Sequence, residues 1–125
     1  MPLIVIHRYT PLDLWNNPNA IFVFGDNEAK EGYGGQAAVC RGEPNGFGIP
    51  TMVAPGVPYT DDDLDRVLPI IRAKSVELAV MLNEGKVVVW PADGIGTGIA
   101  NLQENAPSIL RKIHQMFEDL DIFRV

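Results

Sequence analysis

Cysteine occurs once, at Cys40, and histidine twice, at His7 and His114. A lone cysteine excludes an intramolecular disulfide and any multi-cysteine zinc cluster. The two histidines have no partner at ligand spacing, so neither a metal nor a cofactor is expected. Basic residues are in the minority, with 10 Lys and Arg against 16 Asp and Glu and a formal net charge of −6. They are also scattered. An acidic surface without a basic patch repels a phosphodiester backbone, so a nucleic-acid module is not indicated. No apolar run approaches the roughly 20 residues of a membrane helix. The stretch Met1 to Arg8 lacks the apolar core of a signal peptide. Neither Ser75 nor Ser108 lies in a Gly-x-Ser-x-Gly elbow, which argues against a serine triad. These absences together point to a cytoplasmic chain with no membrane and no nucleic-acid partner.

What is present is apolar and ordered. Hydrophobic residues make up 46% of the 125 positions, enough for a core without covalent staples. The length suits one domain, 1–125. Leu3 to Ile6, Ala20 to Phe24 and Val87 to Trp90 read as strands, the last two as continuous apolar runs covered on both faces. Pro11 to Asn19 reads as a loop with about one helical turn. Gln36 to Arg41 suits a short helix opening at Gly35, and Gly42 to Gly46 is a turn cluster. Phe47 to Met52 predicts a short strand that Pro50 restricts to an edge or a strand end. Thr60 with Asp63 predicts a helix start. Leu64, Val67, Leu68, Ile71, Leu78, Ala79 and Leu82 then follow helical spacing to Asn83. Pro69 predicts either a kink or a fresh start there. Gly85 closes the helix. A last helix is expected from about Asn105 to Asp119, and a terminal strand over Ile122 to Val125. The order predicts an α/β fold, a three-layer α/β/α sandwich with a mixed sheet.

Two glycine-dense segments stand directly after strands. Gly25 to Gln36 follows Phe24, and Asp93 to Gly98 follows the strand ending at Trp90. Glycine permits sharp turns and close approach. Loops at strand ends form the lips of ligand crevices in α/β sheets, and their free amides favour an anion such as phosphate. In the first loop Asp26 suits ribose hydroxyls or water activation, Asn27 suits a ribose, and Gly32, Gly34 and Gly35 suit phosphates. The competing reading is an Asx turn with glycines relieving strain. The second loop, Asp93-Gly94-Ile95-Gly96-Thr97-Gly98-Ile99, lacks the Lys-Ser/Thr of a Walker motif, so NTP hydrolysis with magnesium is not indicated. Tyr33, Phe47 and Trp90 are the aromatics placed to stack on a base, with Trp90 also suited to the core. Cys40 reads as a small packed residue and His114 as the flank of an apolar helix stripe.

These segments resemble the ligand loops of the macrodomain family. Phe24-Gly-Asp-Asn27 with Gly32-Tyr-Gly-Gly-Gln36 is similar to its first loop, and Trp90 to Ile99 to its second. Gly48-Ile-Pro-Thr51 adds a likeness to compact phage-type proteins. The loops cover about a third of the chain. The resemblance implies binding of ADP-ribose or a related NAD-derived nucleotide, with an ADP-ribosylated protein as a further partner. It also implies hydrolysis of ADP-ribose linkages in some relatives. Carried over, Asp26 and Asn27 face the distal ribose, Gly34 and Gly35 lie along it, and Gly96, Thr97 and Gly98 hold the diphosphate, with Tyr33, Gln36, Gly94, Ile95 and Ile99 as further ligand-binding candidates. Asp26 or Asp93 is then the water-activating group, and Asp13 a candidate for the base. Gln36 departs from a triple glycine, and Ala100 stands where small hydrolytic relatives place an acid. Both departures favour binding over catalysis.

Overall fold

The alternation of side chains along two central strands divides the core and fixes the layers. A computed structural model describes residues 3–32 and 35–124. In it Leu3–Ile6 forms β1, Ala20–Asn27 forms β2, Gly46–Ala54 forms β3, Val57–Pro58 forms β4 and Val87–Pro91 forms β5. The sheet order is β1-β5-β2-β3-β4. The first four strands run parallel, and β4 returns antiparallel to β3. Phe22, Phe24 and Val89 point into one core, while Val23, Val88 and Trp90 point into the other. That is the two-residue period of a strand buried on both faces.

Two short helices cover the first face, α1 (Pro11–Asn16) and α2 (Gly35–Cys40). They contribute Leu14, Ala37 and Cys40 to the core with Phe22 and Phe24. Cys40 is fully buried, and burial pushes its thiol up to about 12. On the other face lie α3 (Leu64–Asn83), α4 (Leu102–Asn105) and α5 (Pro107–Leu120). Val67, Ile71, Leu78 and Leu82 of α3 pack there with Ile109, Ile113, Met116 and Leu120 of α5. The molecule is thus an α/β protein, a five-stranded mixed sheet between two helical layers. Among the described residues no helix is long and apolar enough to cross a membrane.

Local chemistry explains the boundaries. Thr10 caps α1 in a reciprocal box: its amide donates to Asp13 at 2.7 Å and its hydroxyl accepts from the Asp13 amide at 3.3 Å. Asp13 is therefore a cap, and it is not among the residues lining the crevice described below. Gly85, at φ +90°, closes α3, with the Lys86 amide donating to Met81 and the Gly85 amide to Leu82.

Four boundaries are refined or corrected by the structure. α3 runs as one helix through Pro69, preceded by a tight turn at Asp61–Asp63, so no fresh helix starts there; Pro69 sits in its second turn and gives up the bond to the Asp65 carbonyl. β3 extends through Pro50, because β4 reaches only Met52 and Ala54, leaving Pro50 with a ladder neighbour on one side alone. The last helix starts at Pro107, after the separate α4. Ala106, at φ −153°, cannot stay helical before a proline. The terminal strand is instead a turn at Asp121–Phe123 with one parallel bridge from Leu3 to Arg124; Val125 lies outside the described residues.

Candidate functional site

β2 and β5 pair over only three positions, Ala20 with Val87, Ile21 with Val88 and Phe22 with Val89. Beyond them the strands part. On its far side β5 stays paired with β1 as far as Pro91, and the Ala92 amide still donates to Ile6. The loop after β2 leads to α2 on one face, and the loop after β5 leads to α4 and α5 on the other. Loops that leave neighbouring strands toward opposite faces open a crevice at the carboxyl edge of the sheet.

Tyr9 stands in the parting. It is 2% exposed, and its hydroxyl lies 2.8 Å from the Val23 carbonyl and 3.0 Å from the Val89 carbonyl. Val89 belongs to the last paired rung, and Val23 is the first residue past it. Its one proton serves both, and burial holds the hydroxyl well above the ordinary tyrosine range. The ring packs edge-on against Phe22.

The crevice has a volume of about 780 Å³, within the range of small-molecule sites. His7 and Arg8 line it after β1, Gly25, Asp26 and Asn27 at the end of β2, Thr51 on β3, and Asp93 through Ala100 after β5. Both glycine loops therefore face one cavity. Gly35 and Gln36 also line it. Tyr33 and Gly34 lie outside the described residues.

The second loop has a pronounced polarity. Four of its carbonyls are bonded to the protein: Gly96 accepts from the Leu102 amide, Gly98 from the Asn101 amide, Thr97 from the Gln103 side chain and Ala100 from the Asn105 side chain. The Thr97 hydroxyl donates to the Asp93 carbonyl at 2.7 Å. By contrast, the six successive amides from Ile95 to Ala100 donate to no acceptor among the described residues. Gly94 and Gly96, at φ +85° and +81°, make this path possible. A side chain on Gly96 would also strike Leu102, its Cβ falling 2.3 Å from Cδ1. Ile95 is buried beneath the loop, and Ile99 is 75% exposed at its tip.

The first loop is organised by side chains. Asn27 clasps it, donating to the Glu31 carbonyl at 2.7 Å and accepting from the Glu31 amide at 3.2 Å. Asp26 is 8% exposed. Its carboxylate accepts from the Asn27 amide and from Arg41, whose Nε lies 3.1 and 3.2 Å from the two oxygens. β3 carries an extra residue here, Thr51, whose hydroxyl donates to the Asp26 carbonyl. Asp93 is exposed and faces His7 at 3.6 Å.

Trp90 and Phe47 do not line the crevice. Trp90 is core, with its ring centroid 5.1 Å from Phe117, and Phe47 carries Lys74 over its face. Ala100 is buried. Sequence reasoning missed Tyr9, Arg8 and Arg41. Tyr9 and Arg8 stand in an aperiodic stretch, and Arg41 looks like an ordinary basic helix end.

Fold and site together define an α/β protein with a crevice at the switch point of its sheet. The chain belongs to DUF7831, a family of unknown function whose model matches residues 4–116. That span holds every residue lining the crevice. No curated protein and no solved structure matches the chain.

Proposed function

We propose that the crevice binds ADP-ribose or a closely related NAD-derived nucleotide, in the manner of a macrodomain. The observation that carries this reading is the run of six amides from Ile95 to Ala100 with no acceptor among the described residues, in a loop where the carbonyls of Gly96, Thr97, Gly98 and Ala100 are already engaged. Such a run places several partial positive charges around one point, which suits a diphosphate without any lysine. The first loop, across the parted strands, then receives the ribose end. The net charge of −6 favours a small anion held by backbone over a nucleic acid held by surface charge. The lone buried Cys40 suits a reducing cytoplasm.

Binding without turnover is favoured by the engagement of Asp26 and by Ala100, which offers no acid. Calorimetric and thermal-shift titration with ADP-ribose, NAD and ADP tests the reading. Ligand at 100 times its dissociation constant adds about 2.7 kcal/mol of stability. An unmoved melting temperature with all three nucleotides sinks it. Chromatography of recovered ligand, and of an ADP-ribosylated protein incubated with the chain, separates binding from hydrolysis.

A further inference from the structure

Arg41 follows α2 directly and reaches back across the first loop. Its Nε contacts both Asp26 oxygens, its Nη2 contacts one of them again, and its Nη1 donates to the Gly32 carbonyl at 2.6 Å. One planar group thus joins the end of β2, the far half of the loop and the end of α2. The near half of that loop has other anchors. The amides of Glu28 and Ala29 donate to Met52 and Val53, and Asn27 holds Glu31. Among the described residues from 32 to 35, the Arg41 bond to Gly32 is the one hydrogen bond arriving from outside α2. The pair is poorly screened, with Arg41 20% and Asp26 8% exposed, so both geometry and charge count there.

We propose that Arg41 is the positioning residue of the first glycine loop, and that Asp26 serves as its anchor and not as the group that activates water. The consequence for ligand rests on the nucleotide-binding reading; the latch itself does not. A guanidinium fork makes this three-point contact and an ammonium does not. Arg41→Lys keeps the charge opposite Asp26 and releases Gly32.

Hydrogen exchange on the full chain is the primary measurement, with ADP-ribose calorimetry beside it. In Arg41→Lys, the Lys30 and Glu31 amides beside Gly32, which donate to Asn27, exchange at least tenfold faster while those of β5 and α5 keep their rates. ADP-ribose affinity falls at least tenfold. Asp26→Asn, which retains an acceptor oxygen and guards against a misfolded lysine variant, produces the same local loosening and the same loss of affinity. A water-activating Asp26 would instead leave affinity intact and abolish turnover. Unchanged exchange at Lys30 and Glu31 in the variants overturns the latch, as does an Asp26→Asn protein that binds normally but no longer turns over ligand. If ADP-ribose binds none of the proteins, the nucleotide reading fails, and the exchange data alone decide the latch.

Discussion

Tyr9 supplies a bond that two strands would otherwise have supplied to each other. Val89 belongs to the last β2–β5 rung and Val23 is the first residue past it, and their carbonyls share one buried hydroxyl. Tyr9→Phe keeps the ring and its contact with Phe22 but removes the donor. An unsatisfied buried carbonyl costs about 1–3 kcal/mol, so urea unfolding should show a loss of that size. A loss under about 0.5 kcal/mol would show that the hydroxyl is dispensable. Nothing local marks this tyrosine. Its partners lie 14 and 80 residues away, and no periodic pattern announces a contact made across a sheet.

At the scale of elements, the β5 loop and the β2–α3 contact make separate predictions. Gly96 and Gly98 sit two residues apart with opposite surroundings. A Cβ on Gly96 meets Leu102, and the residue holds φ +81°; a Cβ on Gly98 meets nothing within 4 Å. Gly96→Ala is expected to cost about 1–3 kcal/mol through overpacking and strain. Gly98→Val is expected to stay within about 0.5 kcal/mol of the parent while weakening ADP-ribose at least tenfold. Paired melting and calorimetry check both. A Gly98→Val protein with parental affinity would remove this loop from the site.

The ion pair between Glu28, just past β2, and Arg66 of α3 spans 2.8 Å. The hydrogen bond from Arg66 holds the Glu28 carboxyl below its ordinary value of 4.5. A depressed carboxylate adds stability above that value and loses it as pH falls toward the folded-state value. Partial exposure keeps the effect small. Melting between pH 6 and pH 3 should therefore fall less steeply for Glu28→Gln than for the parent. Equal slopes would count against the pair.

For the whole molecule, legibility followed range in sequence. The layers, the strand runs and the position of both glycine loops rest on local pattern and on the backbone freedom of glycine, and these were readable. Thr60 and Gly85 marked helix ends through bonds no more than five residues long. The Asp26–Arg41 pair was not readable, because it depends on α2 folding back over β2. Pro50 does stand at an edge, as the rule requires, but that β3 runs on past it was not readable, because whether a strand has a neighbour at one residue is decided by the length of β4.

The hydroxyl between the parted strands also bears on time. Closing the crevice would require β2 and β5 to pair beyond Phe22 and Val89, and a fully packed ring occupies that path. The cavity therefore exists before any ligand arrives, and encounter needs no prior rearrangement. In stopped-flow mixing the observed association rate should climb in proportion to nucleotide concentration, with no plateau; saturation would reveal a slow step inside the protein.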